Sequence, residues 1–213
     1  RSRSAIARAA DGLSGEGDAL AKLPLTILAA KAKYETMAIF FSGDGGWRDI
    51  DAQIGAALKE AGVPVIGVDS LRYFWNEVQP HDAAFDVNAI ITAYKKKWHV
   101  SKVALIGYSF GADVLPAIYD ALPTKSKPSV SLLSMLGYSG ARQFEIQVAD
   151  IITQSAGKAE STTLSELRKI PASIVQCVYG REDAENLCHK IGMPGVELVE
   201  RPGGHHFDNR YAP

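Results

Sequence analysis

Residues 103–115 read Val103-Ala104-Leu105-Ile106-Gly107-Tyr108-Ser109-Phe110-Gly111-Ala112-Asp113-Val114-Leu115. An apolar, strand-like run ends in Gly-x-Ser-x-Gly, and a helix-like run starts immediately after it. Such a nucleophile elbow strains the serine backbone and lifts its hydroxyl above the sheet. Two glycines without a Cβ let the strand and the helix pass close to each other. We therefore predict that Ser109 is a nucleophile; the alternative is a structural glycine turn that happens to hold a serine.

The rest of the chain alternates between short apolar runs and helical periodicity from Leu25 onwards. This alternation predicts an α/β fold with a mostly parallel sheet and helices on both faces. Together with the elbow, it predicts the α/β-hydrolase fold. The predicted strands are Leu25–Ala29, Met37–Ser42, Val63–Val68, Lys102–Tyr108, Val130–Leu136, Ser173–Tyr179 and Val196–Arg201. The predicted helices are Asp49–Ala61, Asp82–Lys97, Ala112–Leu122 and Ala184–Ile191.

Length and composition indicate one globular domain, because the 213 residues are 46% hydrophobic. We expect residues 1–22 to be a linker or flexible segment and residues 23–213 to form the hydrolase domain. Between Tyr138 and Lys169 the chain is polar, rich in Ser and Thr, and only weakly periodic. A small lid inserted around residues 139–169 is the expectation for this interval.

The net charge of -1 and the lack of a long basic run give no reason to expect nucleic-acid binding. No apolar stretch is long enough to span a bilayer, so we expect no transmembrane segment. The chain opens at Arg1 without a methionine or a signal peptide, which we interpret as a mature or trimmed form.

The two cysteines, Cys177 and Cys188, lie close in sequence. A bridge between them would close a short loop whose entropy is worth roughly 2–3 kcal/mol. We expect a disulfide and hence an oxidising compartment; the alternative is two unpaired thiols.

A serine nucleophile needs an imidazole to take its proton and a carboxylate to orient the imidazole. In this fold the chain order is Ser, acid, His. The acid is expected after the strand Ser173–Tyr179, where Asp183 is the candidate and Glu182 the fallback. His205 and His206 follow the last strand in a glycine-rich turn. An aromatic often follows the catalytic histidine, so we predict His206 as the base and keep His205 as the alternative.

An oxyanion hole needs two backbone N–H groups aimed at the developing charge. The amide of Phe110, directly after the nucleophile, is the first candidate. The second lies in the glycine-rich loop after an early strand, with the amide of Asp44 or Gly45 as donor. The alternative for that loop is a plain Asp-Gly turn.

Four segments together resemble the VirJ/AcvB family of bacterial virulence proteins, a branch of the α/β-hydrolases, over nearly the whole chain from about Leu23. The segment that generic hydrolases lack is Ser70-Leu71-Arg72-Tyr73-Phe74-Trp75. The four are Phe41-Ser42-Gly43-Asp44-Gly45-Gly46-Trp47, Asp69-Ser70-Leu71-Arg72-Tyr73-Phe74-Trp75, Gly107-Tyr108-Ser109-Phe110-Gly111-Ala112-Asp113 and Gly203-Gly204-His205-His206-Phe207.

The resemblance implies export to the periplasm and hydrolysis of aminoacyl-phosphatidylglycerol, which releases an amino acid such as lysine. It also implies links to virulence and type IV secretion, and some members carry a further N-terminal domain. An aminoacyl ester is activated enough for a serine hydrolase to cleave without a metal or cofactor. The second hypothesis is a non-catalytic periplasmic adaptor for secretion substrates on a hydrolase scaffold.

Substrate contacts are expected from residues around the elbow. The α-ammonium group of an aminoacyl ester calls for a carboxylate, for which Asp44, Glu77 and Asp208 are candidates. Aromatic side chains could line the acyl pocket or meet the membrane; core packing is the alternative. The predicted substrate-contacting set is Asp44, Arg72, Tyr73, Trp75 and His205.

Overall fold

A computed structural model describes residues 20–141 and 163–209. Seven strands form one sheet in the order β1-β3-β2-β4-β5-β6-β7. β1 is antiparallel to β3, and the other neighbouring pairs are parallel. The mostly parallel sheet predicted from the sequence is confirmed. The strands are β1 (Leu25–Leu28), β2 (Thr36–Phe41), β3 (Val65–Val68), β4 (Lys102–Tyr108), β5 (Val130–Leu136), β6 (Val175–Gly180) and β7 (Glu197–Arg201).

Helices cover both faces of the sheet, as the apolar character of the central strands requires. Along β2, Met37, Ile39 and Phe41 pack with the buried residues of α3 and α4, whereas Ala38 and Phe40 pack on the opposite face with α1. Successive residues of a strand point to opposite faces, so one strand contributes to both cores. The helices are α1 (Asp49–Glu60), α2 (Ser70–Tyr73), α3 (Pro80–Trp98) and α4 (Phe110–Ala121).

The predicted helix Ala184–Ile191 is wrong: the segment holds turns and one 3-10 turn, Cys188–Lys190. Its backbone N–H groups bond to acceptors other than the carbonyl oxygen four residues earlier. The N–H of Leu187 donates to the carbonyl oxygen of Tyr138, and the N–H of Cys188 donates to the Asn186 side chain. These bonds replace the i to i−4 pattern that a helix needs.

Two predicted segments fall largely outside the described residues. The expected N-terminal linker, residues 1–22, overlaps the description only at 20–22, and residues 142–162 of the expected lid are also outside it. Beyond the latter gap, residues 163–167 are helical, and Leu167 and Ile170 are buried in the main core. Within the described ranges, no helix has both the length and the apolarity to cross a membrane.

Candidate active site

The elbow forms at the carboxyl end of β4. Ser109 has φ 52° and ψ −118°, a strained conformation for a residue with a side chain. A Cβ on Gly107 would collide with the backbone of Gly111, and one on Gly111 would collide with the backbone of Phe41. Gly107 is therefore required by the close approach of β4 and α4, as the motif predicts, and Gly111 by the close approach of α4 to the end of β2.

Three side chains from separate loops meet at this elbow. The Nε2 atom of His205 lies 2.8 Å from the Oγ of Ser109, and its Nδ1 lies 2.9 Å from Oδ2 of Asp183. With the proton on Nδ1, the imidazole donates to the carboxylate and accepts from the serine hydroxyl. The Asp183 side chain is 4% exposed and that of His205 is 29% exposed. The arrangement is that of a Ser-His-Asp triad.

This geometry corrects the expectation that His206 contacts Ser109 and that His205 is left to bind substrate. His206 is exposed, and its Nδ1 lies 2.7 Å from the hydroxyl of Tyr108. Adjacent residues in a turn project in different directions, so the bond to Tyr108 turns the His206 ring away from Ser109. The aromatic that suggested His206 is Phe207, which is buried in the core beside Tyr108.

The loop after β6 presents the acid. Asp183 is buried and accepts from the backbone N–H of Glu185 through Oδ1, whereas Glu182 is exposed. A disulfide joins Cys177 in β6 to Cys188, so the bridge spans the loop that carries Asp183. The predicted disulfide is thereby confirmed.

The loop after β2 lies beside the nucleophile. A Cβ on Gly43 would be 3.8 Å from the Cβ of Ser109 and 3.2 Å from the ring of Tyr108. Ser42 is fully buried, and its Oγ accepts from the N–H of Ser70, which ties this loop to α2. The next residue, Asp44, is exposed.

Phe110 is the first residue of α4, so its N–H belongs to the helix end whose donors have no intrahelical partner. The other predicted donors, the amides of Asp44 and Gly45, belong to the loop after β2, whose Gly43 lies beside Ser109. The roles of these amides as oxyanion donors stay predictions.

Two buried carboxylates near the site were missed by the sequence analysis. Burial raises the pKa of Asp113, on α4, to about 6, although hydrogen bonds from Ser139 and Gly140 lower it. Burial raises the pKa of Asp51, on α1, to about 7, against the opposing effect of the backbone N–H groups of Arg48 and Gly43. The partners of Asp113 are distant in sequence, so only its position on a core-facing helix could have signalled it, whereas those of Asp51 lie within eight residues before it.

The aromatic segment predicted to meet substrate divides into buried and exposed parts. Phe74 is fully buried, with its ring centroid 5.1 Å from that of Phe110. Tyr73 is half-buried and donates to Asp86 through its hydroxyl, so its polar end is already engaged. Trp75 is 56% exposed, and Arg72 is also exposed.

The other predicted carboxylates lie at the surface. Asp208 is exposed and packs its side chain against Gly203, and Glu77 is exposed and accepts from the Gln79 side chain. In the parts of the chain that the structure describes, no group of three or more His, Cys, Asp or Glu residues is placed to hold a metal ion.

The elbow, the sheet and the three meeting side chains define an α/β-hydrolase fold. Est1E from Butyrivibrio proteoclasticus, solved with ferulic acid, is similar at 14% identity and TM-score 0.62, covering 89% of each chain. A monoacylglycerol lipase of Paleococcus ferrophilus has 12% identity and TM-score 0.60, covering 86% of this chain and 90% of its own. A thioesterase domain from the curacin biosynthetic pathway has 15% identity and TM-score 0.55, with 86% and 90% covered.

A family model described as bacterial virulence protein (VirJ) matches residues 35–213. The chain therefore belongs to the VirJ family, as its sequence motifs predicted. No curated protein matches it.

Proposed function

We propose that this protein is a serine esterase that cleaves the aminoacyl ester of an aminoacylated phospholipid, such as lysyl-phosphatidylglycerol, through an acyl-enzyme. The observation that carries the proposal is the continuous contact from Asp183 through His205 to Ser109. Such an arrangement has a chemical use in a hydrolase, whereas a binding scaffold does not need it.

In the first half-reaction, the Oγ of Ser109 attacks the ester carbonyl carbon while Nε2 of His205 accepts the hydroxyl proton. The carbonyl oxygen becomes an oxyanion, which the amide of Phe110 and one amide of the loop after β2 stabilise in this scheme. Collapse of the tetrahedral intermediate breaks the bond to the lipid oxygen. The proton on His205 passes to that oxygen, and the phospholipid leaves with a free hydroxyl.

In the second half-reaction, water attacks the acyl-enzyme and His205 takes one of its protons. Collapse expels Ser109, which regains the proton from the imidazolium, and the amino acid is released. Asp183 accepts the hydrogen bond from Nδ1 of His205 and stabilises the imidazolium in both halves. No metal or cofactor takes part in this scheme.

The chain belongs to the VirJ family. The resemblance to this family implies aminoacyl-phosphatidylglycerol as the substrate, which supports the proposed substrate class. Structural neighbours include a monoacylglycerol lipase and Est1E with ferulic acid bound. Asp44 is an exposed carboxylate next to Gly43 and is our candidate for contacting the α-ammonium group. Trp75 is our candidate for contact with the lipid surface.

The disulfide between Cys177 and Cys188 supports an oxidising compartment, and we propose the periplasm. An enzyme there would act on phospholipid at the membrane surface. We also propose that secretion-system proteins are physiological partners, as the family resemblance implies.

The test is mass spectrometry of lipids from vesicles that contain lysyl-phosphatidylglycerol, before and after addition of protein. The proposal predicts loss of the lysyl lipid with equal gain of phosphatidylglycerol and free lysine. Ser109→Ala is the matched control and is expected to leave the lipid intact while melting like the wild type. Turnover of a nitrophenyl ester without turnover of the lysyl lipid would support esterase activity and would contradict lysyl-phosphatidylglycerol as the substrate.

The adaptor hypothesis predicts the opposite dependence on Ser109. If the protein acts only as a scaffold, Ser109→Ala supports secretion as well as the wild type in cells that lack the native copy. Loss of both lipid cleavage and the secretion phenotype in that variant would instead tie the two roles to one reaction.

A further inference from the structure

The loop that follows β5, residues 137–140, lies against the imidazole of His205 and beside the segments that carry Ser109 and Asp183; we call it the β5 loop. The N–H of Ser109 donates to the carbonyl oxygen of Leu136, at the entrance to this loop, over 2.8 Å. A Cβ on Gly137 would be 2.9 Å from Cε1 of His205, so the backbone there lies directly against the imidazole. The N–H of Leu187, in the segment after Asp183, donates to the carbonyl oxygen of Tyr138.

A single carboxylate joins this loop to the nucleophile's helix. Oδ1 of Asp113 accepts from the N–H of Ser139 at 2.9 Å and from the N–H of Gly140 at 2.8 Å, while Oδ2 accepts from the Ser139 hydroxyl at 2.6 Å. Asp113 is 4% exposed, so these bonds are shielded from water. Its own N–H donates to the carbonyl oxygen of Ser109.

We call these hydrogen bonds between Asp113 and the β5 loop the clamp, and their strength favours a single position of the loop. Hydrogen bonds to a carboxylate are shorter and about twice as strong as neutral ones, and this carboxylate receives three. Gly137 and Gly140 have φ of 63° and 71°, a backbone conformation that glycine adopts readily. Because glycine is also free to leave this conformation, the hydrogen bonds to Asp113 are needed to keep the loop in place. A shift of this path by about 1 Å would move the wall behind the imidazole, and displacements of that size cost roughly a hundredfold in rate.

We propose that Asp113 is a positioning residue for the reaction at Ser109. Its carboxylate fixes the β5 loop to α4 and thereby holds His205 in line between Ser109 and Asp183. The inference rests on the proposed serine esterase, but it does not depend on which ester is the natural substrate.

The test compares wild type, Asp113→Ala, Asp113→Asn and Ser139→Ala. The readouts are the rate of Ser109 labelling by a fluorophosphonate and the kcat and KM for a nitrophenyl ester. We expect Asp113→Ala to lower the labelling rate and kcat by roughly 10- to 100-fold, with KM within about twofold because the loop holds the base rather than the substrate. Ser139→Ala, which loses one of the three bonds, is expected to lose about two- to fivefold.

Asp113→Asn separates positioning from simple loss of structure. The asparagine Oδ1 still accepts from both amides, and its Nδ2 can donate to the Ser139 hydroxyl after that group rotates. We therefore expect Asn to restore the labelling rate to within about threefold of wild type. If Ala does not fold, Asp113→Leu keeps the volume without the hydrogen bonds and is expected to show the same loss of labelling.

Labelling of Asp113→Ala or Asp113→Leu at the wild-type rate would overturn the proposal. Equal loss in Asp113→Asn and Asp113→Ala would also overturn it, because the charge rather than the clamp would then matter. A rise in KM with unchanged kcat would assign the loop to substrate binding instead. If the wild type itself is not labelled, the serine esterase fails, and that outcome is distinct from these.

Discussion

The loops that carry Asp183 and His205 approach Ser109 from one side, and the loop that carries Gly43 approaches it from the other. On the first, the acid–histidine side (residues 137–140, 180–188 and 203–207), side chains and backbone groups are tied across loops. The contacts include the triad bonds, the disulfide and the bond from Leu187 to Tyr138. This side is fixed before substrate arrives.

The second, the oxyanion side (residues 42–51 and 70–75), contains buried polar atoms that are not paired. Within the described residues, Oδ1 of Asp51 and Oγ of Ser70 are buried and make no hydrogen bond. An unpaired buried polar group costs about 1–3 kcal/mol. The comparison teaches that contacts between loops hold the acid–histidine side together, whereas the oxyanion side keeps buried polar atoms without hydrogen bonds, so we expect the two sides to respond differently to mutation.

The largest expected effect tests the assignment of His205 as the base on the acid–histidine side. His205→Ala is expected to lower kcat for a nitrophenyl ester by about 10⁴- to 10⁶-fold, because the base of the triad is lost. His206→Ala is its matched control, since it removes the adjacent imidazole and the bond to Tyr108; we expect less than about a tenfold loss. Stopped-flow single-turnover rates measure both. Equal losses in the two variants would contradict the assignment.

The next effect concerns stability on the oxyanion side. The folded-state pKa of Asp51 is about 7, above its ordinary value of 3.8. The neutral carboxyl is therefore favoured by folding, and this contribution is complete below about pH 3.8 and lost as the pH rises to about 7. Asn cannot ionise, so Asp51→Asn avoids the loss of stability that wild type suffers as the pH rises. At pH 8 the variant is expected to be more stable than wild type by up to roughly 4 kcal/mol, with little difference at pH 4.

Urea unfolding at pH 4, 5.5 and 8 checks this prediction. Asp49→Asn, at an exposed position two residues earlier, is the control and is expected to change the profile little. A stability difference between wild type and Asp51→Asn that does not vary with pH would show that folding does not raise the pKa of Asp51, and would contradict this prediction.

A smaller effect is expected from the disulfide. Replacing Cys177 and Cys188 with alanine opens a loop of 11 residues, which is worth about 3 kcal/mol of unfolding free energy. Because the bridge spans the acid loop, kcat is also expected to fall several-fold. Urea unfolding with and without reductant measures the change in unfolding free energy. The reduced wild type should have the same unfolding free energy as the alanine variant. Unchanged stability and kcat would show that the disulfide does not hold the acid–histidine side in place.

The smallest effect tests contact with lipid on the oxyanion side. Trp75→Ala is expected to raise KM for lysyl lipid in vesicles by about three- to tenfold, because an exposed indole is lost from the surface. KM for a soluble nitrophenyl ester should not change. Phe85→Ala, another exposed aromatic, is the control. A rise for both substrates would place Trp75 in the acyl pocket rather than at the membrane.

The sequence was sufficient for the parts of the site that are encoded locally. The elbow around Ser109 requires two glycines at fixed spacing, and Asp183 follows a strand at the place where the fold puts its acid. The disulfide could be expected from two cysteines that flank this loop. Each of these features is decided by residues within a dozen positions of one another.

The remaining features depend on contacts between distant segments. The choice between His205 and His206 is made by Tyr108, about a hundred positions earlier, which hydrogen-bonds the second imidazole. The segment after Asp183 has helical composition but gives a backbone N–H to Tyr138 instead. Asp113 looks like an ordinary residue in the first turns of a helix until its carboxylate is seen to hold the β5 loop.

The central claim is that Ser109 forms a covalent intermediate during turnover. Acid quenching during hydrolysis of a slow nitrophenyl ester, followed by trypsin and mass spectrometry, tests it directly. Ser109 is the one serine of the tryptic peptide spanning residues 103–125. The account predicts an acyl mass on this peptide in wild type, accumulation in proportion to the burst of nitrophenol, and no adduct in Ser109→Ala. Turnover with no adduct on this peptide, or turnover that survives in Ser109→Ala, would contradict it.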